Sequence, residues 1–142
     1  MKESSTISIV GPKAGVGKTI LATNLAHALA RQSRGKILLV DLDVQDCGDI
    51  GILLGISQAP SVADFVGRAH KLTPAALERE IHRHPDGVSL LPLTRKSRQI
   101  SLLSPDKLAQ VLQLCRQIYD FILIDCGSAI HPLVVKLSLI HI

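Results

Sequence analysis

One segment constrains this chain more than any other: G-P-K-A-G-V-G-K-T, from Gly11 to Thr19, set between two apolar stretches of different periodicity. Ile7, Ile9 and Val10 form a short run of β-branched residues before it, and Leu21, Leu25, Ala28 and Leu29 recur at helical spacing after it. The order predicted is strand, tight loop, helix. Gly15 and Gly17 can take backbone angles closed to other residues, so successive N–H groups can converge on phosphate oxygens at a helix N-terminus. Lys18 then supplies a point charge to the β- and γ-phosphates, and the Thr19 hydroxyl faces Mg²⁺. The competing account makes the glycines plain turn residues and Lys18 a solvated helix-start lysine; the strand before and the helix after argue against it. The strict G-x-x-x-x-G-K-[ST] spacing is not met, because Pro12 stands five residues before Gly17 and Gly11 lies one residue too early.

A chain of 142 residues is one domain at most, and 46% hydrophobic content is ample for a packed core. Aromatics make up only 2%, so the core falls to Leu, Ile, Val and Ala, which suits a parallel sheet covered by helices and disfavours aromatic stacking on nucleic-acid bases. Cys47, Cys115 and Cys126 show no C-x-x-C spacing and are odd in number, the pattern of free thiols in a reducing compartment. The start M-K-E-S-S-T lacks the apolar stretch of a signal peptide, and no run approaches the roughly 18 apolar residues of a membrane span. The expected location is the cytoplasm. Part of the net charge of +4 lies in Arg95, Lys96 and Arg98, which read either as a weak patch for DNA or acidic lipid or as an ordinary solvated loop.

A second apolar run, Ile37 to Val40, ends in Asp41-Leu42-Asp43 and delivers two carboxylates to the edge of a sheet where α/β folds bind ligands. Capping a strand and solvating a turn is the alternative use of the pair. Ser61 to Val66 reads as one helical turn, and Thr73-Pro74 as a cap with proline at the first position of a helix reaching Ile81. His82 and His84, with His70 further off, could hold a metal, yet no Cys or carboxylate completes a ligand set, so exposed histidines are expected. Val88 to Leu91 reads as a buried strand. Ser104-Pro105 repeats the cap-plus-proline signal before a helix carrying Leu108, Val111, Leu112, Cys115 and Ile118. The run Phe121-Ile122-Leu123-Ile124-Asp125 then ends in a carboxylate, the form of a Walker B strand whose acid holds Mg²⁺ through water.

K-A-G-V-G-K-T closely resembles the deviant Walker A motif, K-G-G-x-G-K-[ST], of the ParA/MinD ATPases, which do not require glycine where Pro12 sits. The segment V-D-L-D-V-Q-D-C-G-D-I…L-L-G is similar to that family's first switch. The resemblance covers Ile7 through Pro132, and it departs at Ala14, which replaces a glycine, and at Cys126-Gly127-Ser128-Ala129, where the family has D-x-P-x-G or D-x-P-P-S.

What the resemblance implies is a P-loop α/β domain with a mainly parallel sheet flanked by helices. The expected function is ATP binding and slow, Mg²⁺-dependent hydrolysis coupled to a homodimer with ATP sandwiched in it. The implied nucleotide contacts are Lys13, Ala14, Gly15, Val16, Gly17, Lys18, Thr19 and Ile20. Lys13 would reach the partner's nucleotide, Asp43 would orient the attacking water, Thr19 and Asp125 would serve Mg²⁺, and Asp41 would help organise that side. The segments Leu38 to Ile50 and Leu91 to Phe121 look most like the pilus-assembly localisation branch, with a polar-localisation or assembly protein as partner. Division-site selection, flagellar-number control and plasmid or chromosome partitioning are alternatives. Rivals of other classes are a non-hydrolysing scaffold and a metabolic P-loop ligase. Residues 1–142 are expected to be one domain cut short at its C-terminus, with adenine contacts and any membrane or DNA surface beyond Ile142. The tail Lys136 to Ile142 resembles translated adapter sequence.

Overall fold

In a computed structural model of the chain, the structure describes residues 3–13, 15–46, 49–56, 58–94, 96–128, 132 and 134–135. Strand β1 spans Ser5–Ile9, helix α1 Lys18–Gln32, β2 Ile37–Asp41, α2 Asp49–Leu53, α3 Val62–Val66 and α4 Pro74–Glu80. Strands β3 (His82–Arg83) and β4 (Val88–Leu91), helix α5 (Pro105–Ile118) and strand β5 (Phe121–Asp125) follow, with 3₁₀ turns at Ala69–Lys71 and Ser97–Leu102. The sheet order is β1-β5-β2-β4-β3, parallel throughout except for the antiparallel β3–β4 pair. Among the described residues, no helix is long and apolar enough to cross a membrane.

Side-chain alternation along the central strands builds two cores, one on each face. Leu38, Val40, Leu91, Ile122 and Ile124 pack with α3, α4 and α5. Ile37, Leu39, Val88, Leu90 and Leu123 pack instead against α1 and Ile50 of α2. Every residue of β2 is buried, as a strand covered on both faces requires. The result is a three-layer α/β/α sandwich, as the composition implied.

Local capping chemistry places the helices of the first layer. Ser61 and Asp64 form a reciprocal capping box at α3, the Thr73 hydroxyl accepts the Ala76 N–H at α4, and Ser104 caps α5 ahead of Pro105. Helix α4 ends at Glu80, one residue short of the predicted Ile81, which serves as its C-cap.

Two expectations differ. Val10 lies beyond β1 and is 64% exposed, because the chain leaves the sheet at Ile9 to enter the glycine loop. The buried face of α1 is Ala22, Thr23 and Ala26, whereas Leu21 is exposed. Small residues let the helix lie close on the sheet, so the larger leucines mark its flanks rather than its contact line. Cys115 and Cys126 are buried free thiols, each pushed up to about 12 chiefly by burial, with the Asp125 charge adding to the effect at Cys126. Cys47, Arg95 and residues 136–142 lie outside the described residues.

Candidate functional site

The loop between β1 and α1 owes its shape to residues with no bulk. Gly15 and Gly17 have φ of +76° and +88°, and a Cβ on either would meet nothing within 4 Å, so the requirement there is conformational and the concave side is open. Gly11 is different: a Cβ there would lie 2.7 Å from Cδ of Lys18, whose stem crosses it. The Lys18 ammonium donates to the Lys13 carbonyl at 2.7 Å, which holds its charge inside the loop. Gly17 caps α1 without a side-chain hydrogen bond, and the first turn of α1 holds no acid. With no acid of its own in the first turn, the 15-residue helix presents its positive dipole end to the loop.

Opposite the loop, the sheet supplies carboxylates. Asp41 and Asp125 are register partners on β2 and β5. Alternation turns them to the α1 side, since Val40 and Ile124 just before them face the other core. Both are 1% exposed. The Thr19 hydroxyl, in the first turn of α1, donates to Asp125 Oδ2 at 2.6 Å and closes a contact between residues 106 apart in the chain. Beyond β2, Asp41 Oδ1 accepts the Asp43 N–H at 3.0 Å. Asp43 is 7% exposed, and its Oδ1 accepts the N–H groups of Gln45 and Asp46 at 3.0 and 3.2 Å.

The segment after β5 meets the segment after β2. Gly127, at φ +66°, donates its N–H to Asp125 Oδ1 at 3.2 Å and runs so close to Asp43 that a Cβ would lie 2.5 Å from its Cγ. Ser128 Oγ donates to Gln45 Oε1 at 3.0 Å. A cleft of about 420 Å³ opens between loop and carboxylates, lined by Gly15, Gly17, Lys18, Thr19, Asp43 and Ile20 among others. An open, oxygen-rich site beside exposed N–H groups can bind a phosphate chain together with a hard divalent cation.

The structure thus gathers Gly15, Gly17, Lys18, Thr19, Ile20 and Asp43 around one cleft, with Asp125 joined to Thr19 and Asp41 beside them. Lys13 and Val16 are exposed on the rim of the loop. Ala14 lies outside the described residues. Sequence reasoning missed three features. Gly11 does not fit the strict spacing, yet a Cβ there would push the Lys18 stem aside. Asp46 and Asp49 also line the cleft, and their signal was an acid-rich stretch directly after two strand-end carboxylates. Gly127 was read only as a departure from a motif, although a glycine two residues after a strand-end acid suits a close crossing.

Residues 4–139 match a family model described as an AAA domain. The chain is 30% identical over 139 residues to the antiactivator FleN of Pseudomonas aeruginosa, covering 96% of this chain and 47% of that protein. It is 35% identical over 130 residues to the chromosome-partitioning ATPase Soj of Thermus thermophilus, covering 89% and 47%. Among solved structures, the septum site-determining protein MinD of Pyrococcus horikoshii, complexed with Mg-ADP, superimposes with a TM-score of 0.77 at 30% identity over 99% of this chain and 55% of that one. The chain spans about half the length of the curated relatives it matches. Glycine loop, Thr19–Asp125 junction and these similarities together place the chain in the ParA/MinD family of P-loop ATPases.

Proposed function

We propose that this chain carries the nucleotide site of an ATP-dependent, dimerising switch ATPase that positions a cellular structure. The observation that carries the proposal is the 2.6 Å contact of Thr19 with Asp125, which puts both cation-side groups against a positive-φ glycine loop at the head of α1. The donor set, a hydroxyl and a carboxylate with Asp41 buried beside them, is the hard-oxygen chemistry that suits Mg²⁺. MgATP supplies the transferable phosphoryl group and the charge neutralisation that its transfer needs.

The protein's part is positioning and electrostatics. Backbone N–H groups of residues 14–20 and the Lys18 ammonium bind phosphate oxygens. Thr19 and Asp125 hold the cation side, with Asp41 fixing Asp43 through its N–H. Asp43, anchored by Gln45 and Asp46, orients the attacking water and accepts its hydrogen bond. Lys13, exposed at the rim, acts in trans on the nucleotide of a second copy. The contacts of Gly127 and Ser128 to Asp43 and Gln45 couple the two segments that must respond to the γ-phosphate.

The positioned structure we assign is a pilus-assembly apparatus, on the resemblance of L-L-V-D-L-D-V-Q-D-C-G-D-I to that branch, with cytoplasmic protein peripheral to the membrane or pole. Flagellar-number control is the second reading, supported by the 30% identity to FleN. Imaging pili and flagella in a deletion strain separates the two. The nucleotide site is tested by Lys18→Ala in the full-length protein: ATP binding by calorimetry is expected to vanish while circular dichroism is unchanged, and unaltered affinity would sink the assignment.

A further inference from the structure

Far from the cleft, α1 meets the β3–β4 hairpin through three polar side chains that the nucleotide reading does not use. The hairpin is a tight turn, His84-Pro85-Asp86-Gly87, in which the Gly87 N–H donates to the His84 carbonyl at 2.9 Å and the His84 N–H to the Val88 carbonyl at 2.8 Å. Gly87 has φ +93°, and a Cβ there would sit 3.8 Å from that of Ala30, so the turn lies directly on the helix. His84 and His27 meet edge to face, with ring centroids 6.0 Å apart. Both are mostly buried, with side chains 20% and 18% exposed. The sequence led to the expectation of exposed histidines; His70 is exposed, but His84 finds partners in His27 and Asp86 that its spacing from His82 does not reveal.

Hydrogen bonding fixes where the lone pairs point. His27 Nδ1 lies 2.8 Å from the Thr23 carbonyl, which can only accept, so Nδ1 carries the proton and Nε2 of the neutral ring has its lone pair free. That Nε2 faces Asp86 Oδ2 at 3.5 Å. His84 Nδ1 accepts the Asp86 N–H at 3.2 Å, so in the neutral ring its single lone pair is engaged there, and a cation binds only by displacing that long contact; the same atom lies 3.5 Å from Asp86 Oδ2. His27 Nε2, His84 Nδ1 and Asp86 Oδ2 thus face one another with room for a cation between them. Two contacts of 3.5 Å are close to the roughly 3.3–3.4 Å edge of a tetrahedron with metal–ligand bonds of about 2.0–2.1 Å. All three ligand atoms lie within 4.8 Å of one another. The Thr23 carbonyl holding Nδ1–H is also the outer contact that orients a metal-binding imidazole.

We propose that His27, His84 and Asp86 bind a zinc-class divalent cation that staples α1 to the β3–β4 turn. Two imidazoles and one carboxylate suit Zn²⁺ over Mg²⁺, with water completing the fourth position. His27 lies eight residues beyond Thr19, roughly 12 Å along the helix, so this site is separate from the nucleotide cleft.

The test is zinc titration by calorimetry into tag-free, EDTA-treated, full-length protein in millimolar Mg²⁺, with Co²⁺ absorption in the visible as a second readout. One zinc per chain and tetrahedral cobalt bands that zinc abolishes are expected. His27→Ala and His84→Ala should each weaken zinc binding by at least roughly 100-fold, no less than the loss of an outer-shell partner costs. Asp86→Asn alters only an exposed carboxylate and carries the test if a histidine variant loses its fold; it should weaken binding by about tenfold or more. No stoichiometric zinc on the wild type would overturn the proposal. Undiminished zinc on any of the variants would overturn it as well.

Discussion

Gly127→Ala should separate nucleotide binding from turnover. The new methyl would lie 2.5 Å from Asp43 Cγ and 2.6 Å from its Oδ1, whereas ordinary contact begins near 3.4 Å, so the carboxylate must move by roughly 0.9 Å. It cannot move freely, because Oδ1 holds the N–H groups of Gln45 and Asp46. The backbone adds strain, since φ of +66° costs a non-glycine residue ~1–2 kcal/mol. One weakened hydrogen bond contributes ~1 kcal/mol more, for a total destabilisation of ~2–3 kcal/mol in urea unfolding. If Asp43 orients the attacking water, a displacement near 1 Å should lower kcat by about 100-fold. Phosphate release under saturating ATP measures the turnover, and calorimetry should find the ATP Kd within roughly threefold of wild type, because the loop and Lys18 are untouched. A variant destabilised as expected but turning over at the wild-type rate would refute the role assigned to Asp43 and the coupling through Gly127.

Other outcomes follow from the same geometry. Gly11→Ala pushes a methyl to 2.7 Å from the Lys18 stem, so ATP affinity measured by calorimetry should fall while Asp43 geometry is spared. Asp43→Ala should keep an ATP-bound dimer yet hydrolyse very slowly, and Lys13→Ala should bind ATP and stay monomeric; light scattering with ATP and Mg²⁺ reads both. Leu77→Ala, at a fully buried α4 position, should cost about 2–5 kcal/mol in urea unfolding with ATP affinity unchanged. Burial raises Cys115 and Cys126 from 9.0 to about 12. A raised thiol pKa contributes stability that is present below pH 9.0 and lost as pH climbs toward about 12, so the urea midpoint should fall across that window. The same thiols should resist iodoacetamide at pH 8 until the chain unfolds.

Strands β1, β2, β4 and β5 and the long helices were legible because each is written in local chemistry, whereas the two-residue β3 carries too short a pattern to read. Phe121 to Asp125 and Ile37 to Asp41 are apolar runs that end in an acid, and Thr73-Pro74 and Ser104-Pro105 are cap signals that need no tertiary context. The face of α1 was not legible, since hydrophobic size pointed to Leu21 while close packing on the sheet selected Ala22 and Ala26. In the cleft, residue types could be read from motifs, but the pairings could not: Thr19 with Asp125, Gly127 against Asp43 and Ser128 on Gln45 all join distant stretches. His27 carried no motif at all. Its partners come from a hairpin turn that only the fold lays across the helix.

The strand order also dictates the timing of assembly. Strand β5, made after the other four described strands, lies between β1 and β2, so the two earliest strands share no hydrogen bond until it arrives. A chain emerging from the ribosome up to Tyr119 would hold α1 and β2 beside a slot, with apolar edges awaiting a segment not yet translated. Filling that slot pairs β5 with β1 and brings Asp125 to Thr19 in one event. Closure of the β1–β5–β2 part of the sheet and the meeting of Thr19 with Asp125 are therefore one step of long sequence separation. A nascent chain that lacks Phe121 to Asp125 has no carboxylate to set against Thr19.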